Sequence, residues 1–493
     1  MTLEQDIAVP ASVGGWLGKQ HLMLIGGEWV PAADGETFTV ENPATEQEIA
    51  RVPRARAADV DEAVRAARRS FETGVWRMMA PVARQQIMWR FADLIASHQD
   101  ELGSLDILDN GMPRMFADRT IAGAADGMRF YAGMCTKVYG RTAPGNGEFH
   151  SYTQRVPVGV AALIIPWNGP VATAVIKLAP SLAAGCSVVL KPAEQTPLSA
   201  LRLGELALDA GIPPGVLNVV TGYGQEAGAA LAQHPDVDKI SFTGSTAVGK
   251  ELVRNAADNL KRVTLELGGK SPVFVFPDAD LSVAIPTVSM GIFGNSGQMC
   301  YAGSRVYAHP EIHDDLVAGV QAFAEQLKLG NGLDPSSQLG PLVSAKQRDN
   351  VMSYIGSGLE QGAELVTGGQ TAGSSGYFVE PTIFTQVSPE MRIVREEIFG
   401  PVLTVSTFDG LEDVARLGND SPYGLGAGIY TTDLSTAHRA AAVLEAGNIW
   451  VNCYATLDRS LPFGGFKQSG WGRENGEEGL SAFQETKSIY MKL

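Results

Sequence analysis

The chain has 493 residues, a formal net charge of −16, and a composition that is 45% hydrophobic and 19% charged. That length exceeds one ordinary core and predicts two or three domains, while the acidic balance argues against nucleic acid and anionic membrane surfaces as partners. The four cysteines form no C-x-x-C pair, so neither a zinc site nor a redox dithiol is indicated, and such sparse use suits a reducing, cytoplasmic setting.

The opening 20 residues carry little pattern and read as a loose arm without the apolar stretch of a signal peptide. HLMLIGGEWV (21–30) and GETFTVENPAT (35–45) read as short strands punctuated by Gly and Asn-Pro turns. Val60, Val64, Ala67 and Phe71 recur at helical spacing, as do Ile87, Phe91, Leu94 and Ile95, predicting two amphipathic helices. The polar, Gly-rich segment 138–156 reads as a hairpin arm between ordered blocks.

From residue 155 the rhythm changes. VGVAALIIP (158–166) is the longest apolar run, far short of the roughly 20 residues that cross a bilayer, and reads as a buried strand. A helix follows from Pro170 to Gly185, then the strand CSVVLKP. Thr196 and Pro197 read as cap and first-turn proline of a helix that stops at Gly211. The strand VLNVVTG, a helix through 233, the strand DKISFTGS, a helix into the 250s and the strand VTLELGG complete the block. Apolar strands alternating with helices predict a parallel sheet covered on both faces, which binds ligands at its carboxyl ends. Those ends read PWN, KPAE, TGYG, FTGS and ELGG. A second α/β block, about 271–470, carries SPVFVFP, VLTVSTF, GAGIY and GNIWVNC. The tail LSAFQETKSIYMKL ends in a strand-like alternation that needs a partner.

Within this frame a few residues carry chemistry. Cys300 lies among small and polar neighbours in FGNSGQMCYAGSR, a setting that exposes a thiol, whereas Cys186 in AAGCSVVL has the surroundings of a structural cysteine. Glu266 ends an apolar strand shortly before two glycines. It is either a salt-bridged strand end or a base whose burial suits it to activating water. Asn168 is either a helix cap or an amide donor to an oxyanion. Trp167 packs in the core or walls a cofactor. Lys191 and Glu194, three apart at the sheet mouth, form a capped turn or hold a ribose diol. Two Gly-rich loops compete for phosphates: VVTGYGQEAG, a poor dinucleotide fingerprint, and FTGSTAVGK, where Gly244 and Ser245 open a helix. His309 and His313 have no further ligands arranged around them, so no metal site is expected.

Seven motifs then fall in one order: PWN (166–168), KPAEQTP (191–197), FTGST (242–246), LELGGKSP (265–272), FGNSGQMC (293–300), EEIFGP (396–401) and PFGGFKQSG (462–470). With Glu266 and Cys300 separated by 34 positions, the chain resembles the aldehyde dehydrogenase superfamily from about residue 20 to its end. The resemblance implies an α/β fold with a Rossmann-like NAD-binding domain (1–137 and 157–266) and an α/β catalytic domain (267–470). A small β oligomerisation element (138–156 and 471–493) implies a homodimer or homotetramer. It implies Cys300 as nucleophile, Asn168 as oxyanion donor and Glu266 as the base that activates the hydrolytic water. Lys191 and Glu194 match the adenosine-ribose residues, Ser245 after Gly244 the pyrophosphate contact with Trp167 nearby, and Glu397 the nicotinamide-ribose residue with Phe399 beside it. Gln347 matches a further ribose contact, and Lys177 and Glu474 a proton relay. Glu194 favours NAD over NADP, because a carboxylate repels a 2′-phosphate.

Departures from the family pattern bear on the substrate tunnel. Gly169 replaces a bulky aromatic, Ile176 stands where a large residue is common, and Tyr301 follows the nucleophile where a small residue or a second Cys is usual. Leu457 is the tunnel residue of the loop before PFGG, and Phe463 joins it. These point to a medium or bulky apolar aldehyde, aromatic or terpenoid-like, with Arg459 offering the rival reading of an acid semialdehyde. A CoA-acylating relative and a catalytically retired binding protein of the same fold are the remaining alternatives.

Overall fold

The computed structural model describes residues 7–145 and 147–493. Its first sheet has eight strands in the order Glu28–Val30, Met23–Ile25, Leu217–Val219, Ser187–Lys191, Val160–Ile164, Lys239–Thr243, Arg262–Glu266, Gly470–Trp471. The five strands from Leu217–Val219 to Arg262–Glu266 run parallel, and the outer pairings at both edges are antiparallel. The alternation of a strand explains why these runs are apolar throughout. Ala161 and Leu163 join the core formed with the helices Pro81–Ser97, Gln99–Asn110, Arg114–Met134, Pro170–Ala184 and Leu198–Ala210. Val160, Ala162 and Ile164 face the opposite core, under the helix Ala57–Thr73. Chain order reverses at Val160–Ile164, which pairs with Ser187–Lys191 on one side and Lys239–Thr243 on the other. A crevice at the carboxyl ends is the usual consequence of such a reversal.

The second sheet has seven strands: Glu364–Thr367, Thr382–Thr385, Val402–Thr407, Arg305–Ala308, Pro272–Val275, Gly426–Tyr430 and Asn448–Val451. It too separates two cores, Val273 and Val275 on one side and Phe274 and Phe276 on the other. A third sheet joins Thr142–Ala143, Phe149–Pro157 and Gln484–Lys492; the last two pair antiparallel over nine residues, from Gln484 opposite Pro157 to Lys492 opposite Phe149. The tail thus receives the partner that its alternation required. No helix among the described residues is long and apolar enough to cross a membrane.

Two expectations need correction. The opening segment is not a loose arm over 11–17: a helix, Ala11–Leu17, buries Val13 and Trp16, and Trp16 Nε1 donates to Glu205 at 3.2 Å. Seven residues are too few to display periodicity in sequence. Thr196 does not cap the helix Leu198–Ala210, where Pro197 is the N-cap without a side-chain bond; the Leu198 N–H instead donates to Asp109 Oδ2 at 3.2 Å, from another helix.

Candidate active site

The Cys300 loop begins where the helix Leu281–Phe293 ends. Asn295, Ser296 and Gly297 follow at φ 49°, 57° and 72°, so two non-glycine residues sit in the left-handed region. Each costs on the order of 1 kcal/mol or more and persists only when its surroundings over-determine it. They do. Asn295 Nδ2 donates to the Asn168 carbonyl (2.9 Å), Ser296 Oγ to the Gly340 carbonyl (2.7 Å), and the Val343 N–H to Gln298 Oε1 (3.0 Å). Gly297 is obligatory, since a Cβ there would lie 2.1 Å from the Gly400 oxygen. The turn leaves Cys300 half-buried. Burial, then the charges of Glu397 and Glu266, pushes its thiol well above the ordinary range.

Asn168 leaves the strand Val160–Ile164 and donates Nδ2 to the Gln298 carbonyl at 2.8 Å, two residues before Cys300. An amide nitrogen carries two hydrogens, so one N–H fixes the side chain, and the other has no acceptor among the described residues.

Glu266 ends its strand 2% exposed, with neither carboxylate oxygen hydrogen-bonded among the described residues. Burial raises its pKa well above the usual carboxylate value; the Glu474 charge adds to this, and Lys177 and Arg473 oppose it. Leu267 alone separates Glu266 from the glycine pair that follows, and those glycines explain themselves sterically. A Cβ on Gly268 would lie 2.1 Å from Glu397 Oε2, and one on Gly269 would lie 2.3 Å from the Cys300 carbonyl oxygen. The Gly269 N–H donates to Glu397 Oε1 at 3.0 Å. Burial lifts Glu397 to about 7, against the pull of that N–H and of Lys270. Gly268 and Gly269 therefore let a second carboxylate and the cysteine backbone close on the end of the Glu266 strand.

The C-terminal motif folds around the same carboxylate. Gly470 and Trp471 pair with Glu266 and Leu265, and a Cβ on Gly464 would lie 2.8 Å from Glu266 Oε1. Phe463 and Glu474 exchange backbone hydrogen bonds of 2.7 Å each, which carries Glu474 inward to ion-pair with Lys177 of the helix Pro170–Ala184. Both side chains are buried, and Lys177 Nζ also donates to Ser241 Oγ at 3.1 Å.

Of the residues expected at a cofactor, Trp167, Lys191, Glu194, Gly244 and Ser245 follow the carboxyl ends of first-sheet strands, while Gln347, Glu397 and Phe399 come from the block of the second sheet. Lys191 is 2% exposed, its Nζ 3.5 Å from Glu194 Oε2; burial lowers its pKa while Glu194 opposes the shift. Ser245, exposed, caps the helix Thr246–Ala256 by accepting from the Val248 N–H at 3.3 Å. A Cβ on Gly244 would meet the Phe242 ring at 2.4 Å. Trp167 and Phe399 make an edge-to-face pair with centroids 5.2 Å apart. Gln347 donates Nε2 to the Phe399 carbonyl (2.9 Å) and the Ile398 carbonyl (3.2 Å), so its amide N–H groups brace the turn that carries Glu397. Phe399 itself sits at φ 57°, which explains why that turn needs a brace.

The aldehyde dehydrogenase family model matches residues 29–489. The chain belongs to the aldehyde dehydrogenase family. A mitochondrial aldehyde dehydrogenase of Leishmania tarentolae is 48% identical over 473 residues, 96% of this chain and 95% of that protein. The phenylacetaldehyde dehydrogenase of Pseudomonas fluorescens is 46% identical, with 99% of each chain covered. The solved NAD+ complex of a Bacillus cereus aldehyde dehydrogenase is 46% identical and superposes with a TM-score of 0.98 over 99% of this chain and 100% of that one.

In this aldehyde dehydrogenase the expected tunnel residues stand in different settings. Tyr301 is half-buried, its ring 5.8 Å from Trp450 and 6.0 Å from Phe463, and its carbonyl accepts from the Tyr454 hydroxyl at 2.7 Å. Gly169 is the N-cap of the helix Pro170–Ala184, and only Thr173 Oγ1, at 3.7 Å, approaches the place of a Cβ. Ile176 on that helix and Leu457 in the loop before Pro462 are half-buried. Arg459 lies against the helix Arg114–Met134, where a Cβ on Gly123 would come within 3.0 Å of Nη2; its Nη1 is buried without a hydrogen-bond partner among the described residues. Trp450, Tyr454 and the Asn295–Ser296 turn were missed by sequence reading. Asn295 and Gly297 are the signals for the turn that composition offered, because Asn and above all Gly tolerate the left-handed region.

Proposed function

We propose that this enzyme oxidises a medium or bulky apolar aldehyde to its carboxylic acid, with NAD as hydride acceptor. One observation carries the reading. A half-buried thiol, Cys300, is enclosed with two carboxylates, Glu266 and Glu397, through a glycine pair that admits no side chain. As Cys300 Sγ adds to the aldehyde carbon, Glu266 takes the thiol proton and passes it on toward Glu474, so that it is a carboxylate again for the later step. The oxyanion that forms takes the free N–H of Asn168 and the Cys300 backbone N–H. When bound, the nicotinamide supplies the acceptor for the hydride that leaves this carbon, and the product on the enzyme is a thioester. Glu266 then takes a proton from water, the hydroxide adds to the thioester carbon, and the C–S bond breaks to release acid and Cys300. Lys177 and Glu474 stand behind Glu266 as a proton relay.

The cofactor residues fit NAD chemically. Lys191 and Glu194 would hold the adenosine ribose, Ser245 and Gly244 the pyrophosphate, and Glu397 the nicotinamide ribose, with Trp167 and Phe399 as walls. Gln347 acts through the Glu397–Phe399 turn. The Glu194 carboxylate disfavours the 2′-phosphate of NADP. We assign the first sheet to the cofactor domain, the second to the catalytic domain, and the third to self-association as a homodimer or homotetramer in the cytoplasm.

An aromatic substrate is favoured by the ring cluster of Tyr301, Trp450 and Phe463, and by the phenylacetaldehyde dehydrogenase among the relatives. The unpartnered Arg459 Nη1 favours a second reading, an aldehyde with a distal carboxylate. NADH formation with aromatic, terpenoid, short-chain and semialdehyde substrates separates them. A higher kcat/KM for acetaldehyde than for phenylacetaldehyde overturns the aromatic reading; a succinate-semialdehyde rate that survives Arg459→Glu overturns the other. Cys300→Ala is expected to abolish NADH formation with every substrate, and retained turnover would refute the mechanism.

A further inference from the structure

Two helices start beside the proposed site without a cap of their own. The helix Pro170–Ala184 follows the Trp167–Asn168 turn, and its N-cap, Gly169, has no side chain. The helix Leu198–Ala210 follows the Lys191–Glu194 turn, and its N-cap, Pro197, has no hydrogen-bonding side chain. Orphan N–H groups at buried helix starts need acceptors. Both acceptors come from one place, the C-terminal turn of the helix Gln99–Asn110. Asp106 Oδ2 accepts from the Val171 N–H at 3.3 Å, and Asp109 Oδ2 accepts from the Leu198 N–H at 3.2 Å. Asn110, the last residue of that helix, donates Nδ2 to the Trp167 carbonyl at 2.8 Å. All three side chains are 0–1% exposed. Spacings of three and four residues place them on one face of the helix, so one rigid element touches both turns.

The same corner reaches the nucleophile loop. A Cβ on Gly340 would lie 1.9 Å from the Gly111 carbonyl oxygen, and the Gly340 carbonyl accepts the Ser296 hydroxyl at 2.7 Å. Burial is costly here. It lifts Asp106 to about 7, and it lifts Asp109 well above its usual range with Asp106 adding to the shift. An apolar residue would avoid that cost but would leave the Val171 or Leu198 N–H without an acceptor, so the carboxylates are held here for the bonds they accept.

We infer that Asp106, Asp109 and Asn110 are positioning residues that hold the Asn168 turn and the Glu194 turn in register from a single helix end. This rests on the roles proposed above for Asn168 and Glu194. Asn110 and Asp109 are adjacent in sequence yet serve different turns, so their variants separate kinetically. Asn110→Ala releases the Trp167 carbonyl and with it the Asn168 amide; kcat is expected to fall about tenfold, less than the roughly hundredfold or more of a lost oxyanion donor, with a smaller loss of NAD affinity through the Trp167 wall. Asp109→Ala leaves the Leu198 N–H unpaired; NAD affinity, measured by fluorescence titration, is expected to weaken about fivefold with kcat largely retained. Asp109→Asn keeps an oxygen for that N–H and is expected to restore the affinity. Loss of kcat and affinity together in both variants, in step with their thermal midpoints, would reduce the role to stability and overturn the inference. If Asp109→Ala does not fold, wild-type kcat in Asn110→Ala suffices to overturn it. Asn168→Ala runs alongside: full activity there removes the functional reading itself, whereas an inactive Asn168→Ala beside an unaffected Asn110→Ala removes only the clamp.

Discussion

Gly268 carries no unusual backbone angle, so its requirement is space: the Glu397 carboxylate occupies the volume that any Cβ would take, 2.1 Å from Oε2. Gly268→Ala should displace Glu397 and lower kcat/KM for NAD by about tenfold or more, equivalent to about 1.4 kcal/mol, while thermal unfolding changes less than for a core substitution. Glu266 is governed by burial instead, which keeps the proton on to higher pH than an ordinary carboxyl. A base acts only when deprotonated, so turnover should fall as pH drops through that raised value. Glu266→Gln should flatten this limb and leave an acyl-enzyme adduct on Cys300 that intact-mass spectrometry detects.

At the scale of elements, the buried pair of Lys177 and Glu474 ties the helix Pro170–Ala184 to the C-terminal segment. Removing one partner strands the other charge, so Lys177→Met should cost about 3–5 kcal/mol in urea unfolding. The helix Gln99–Asn110 adds a pH term. Asp106 rises from its ordinary 3.8 to about 7 in the fold. An acid with a raised folded pKa binds its proton more tightly when folded. It therefore favours the fold below the unfolded value, and that contribution is lost as pH climbs through about 7. The thermal midpoint should decline across this window, and Asp106→Asn should flatten the decline.

At the scale of the whole molecule, the third sheet joins the C-terminal strand to residues 142–157, and neither segment makes it alone. Gln484–Lys492 is an edge strand on Phe149–Pro157, and Phe149, Tyr490, Met491 and Leu493 stand exposed on or beside it. A long edge with exposed apolar side chains is a surface for association. Light scattering behind size exclusion should show the full chain as a dimer or tetramer. A chain ending at Phe483 should give a smaller species or aggregate. An unchanged oligomer in the truncated chain would refute the role given to this sheet.

Much of this is legible along the chain because it is governed by neighbours in sequence. The apolar runs at 158–166 and 186–191 declare buried parallel strands, since both faces of such a strand meet helices, as Val160 and Ala161 do. The order of the motifs points to the family without any contact being known, and glycines such as Gly268 and Gly464 mark close approaches without saying to what. The partners are the hidden part. Asp109 capping a helix that begins at residue 198, Glu474 meeting Lys177, Gln347 bracing Phe399 and the short helix Ala11–Leu17 docking through Trp16 all join distant positions. No periodicity encodes such a pairing. Which polar group meets which is decided by how the helices and loops pack on the sheets, and that packing exists only once the chain has folded.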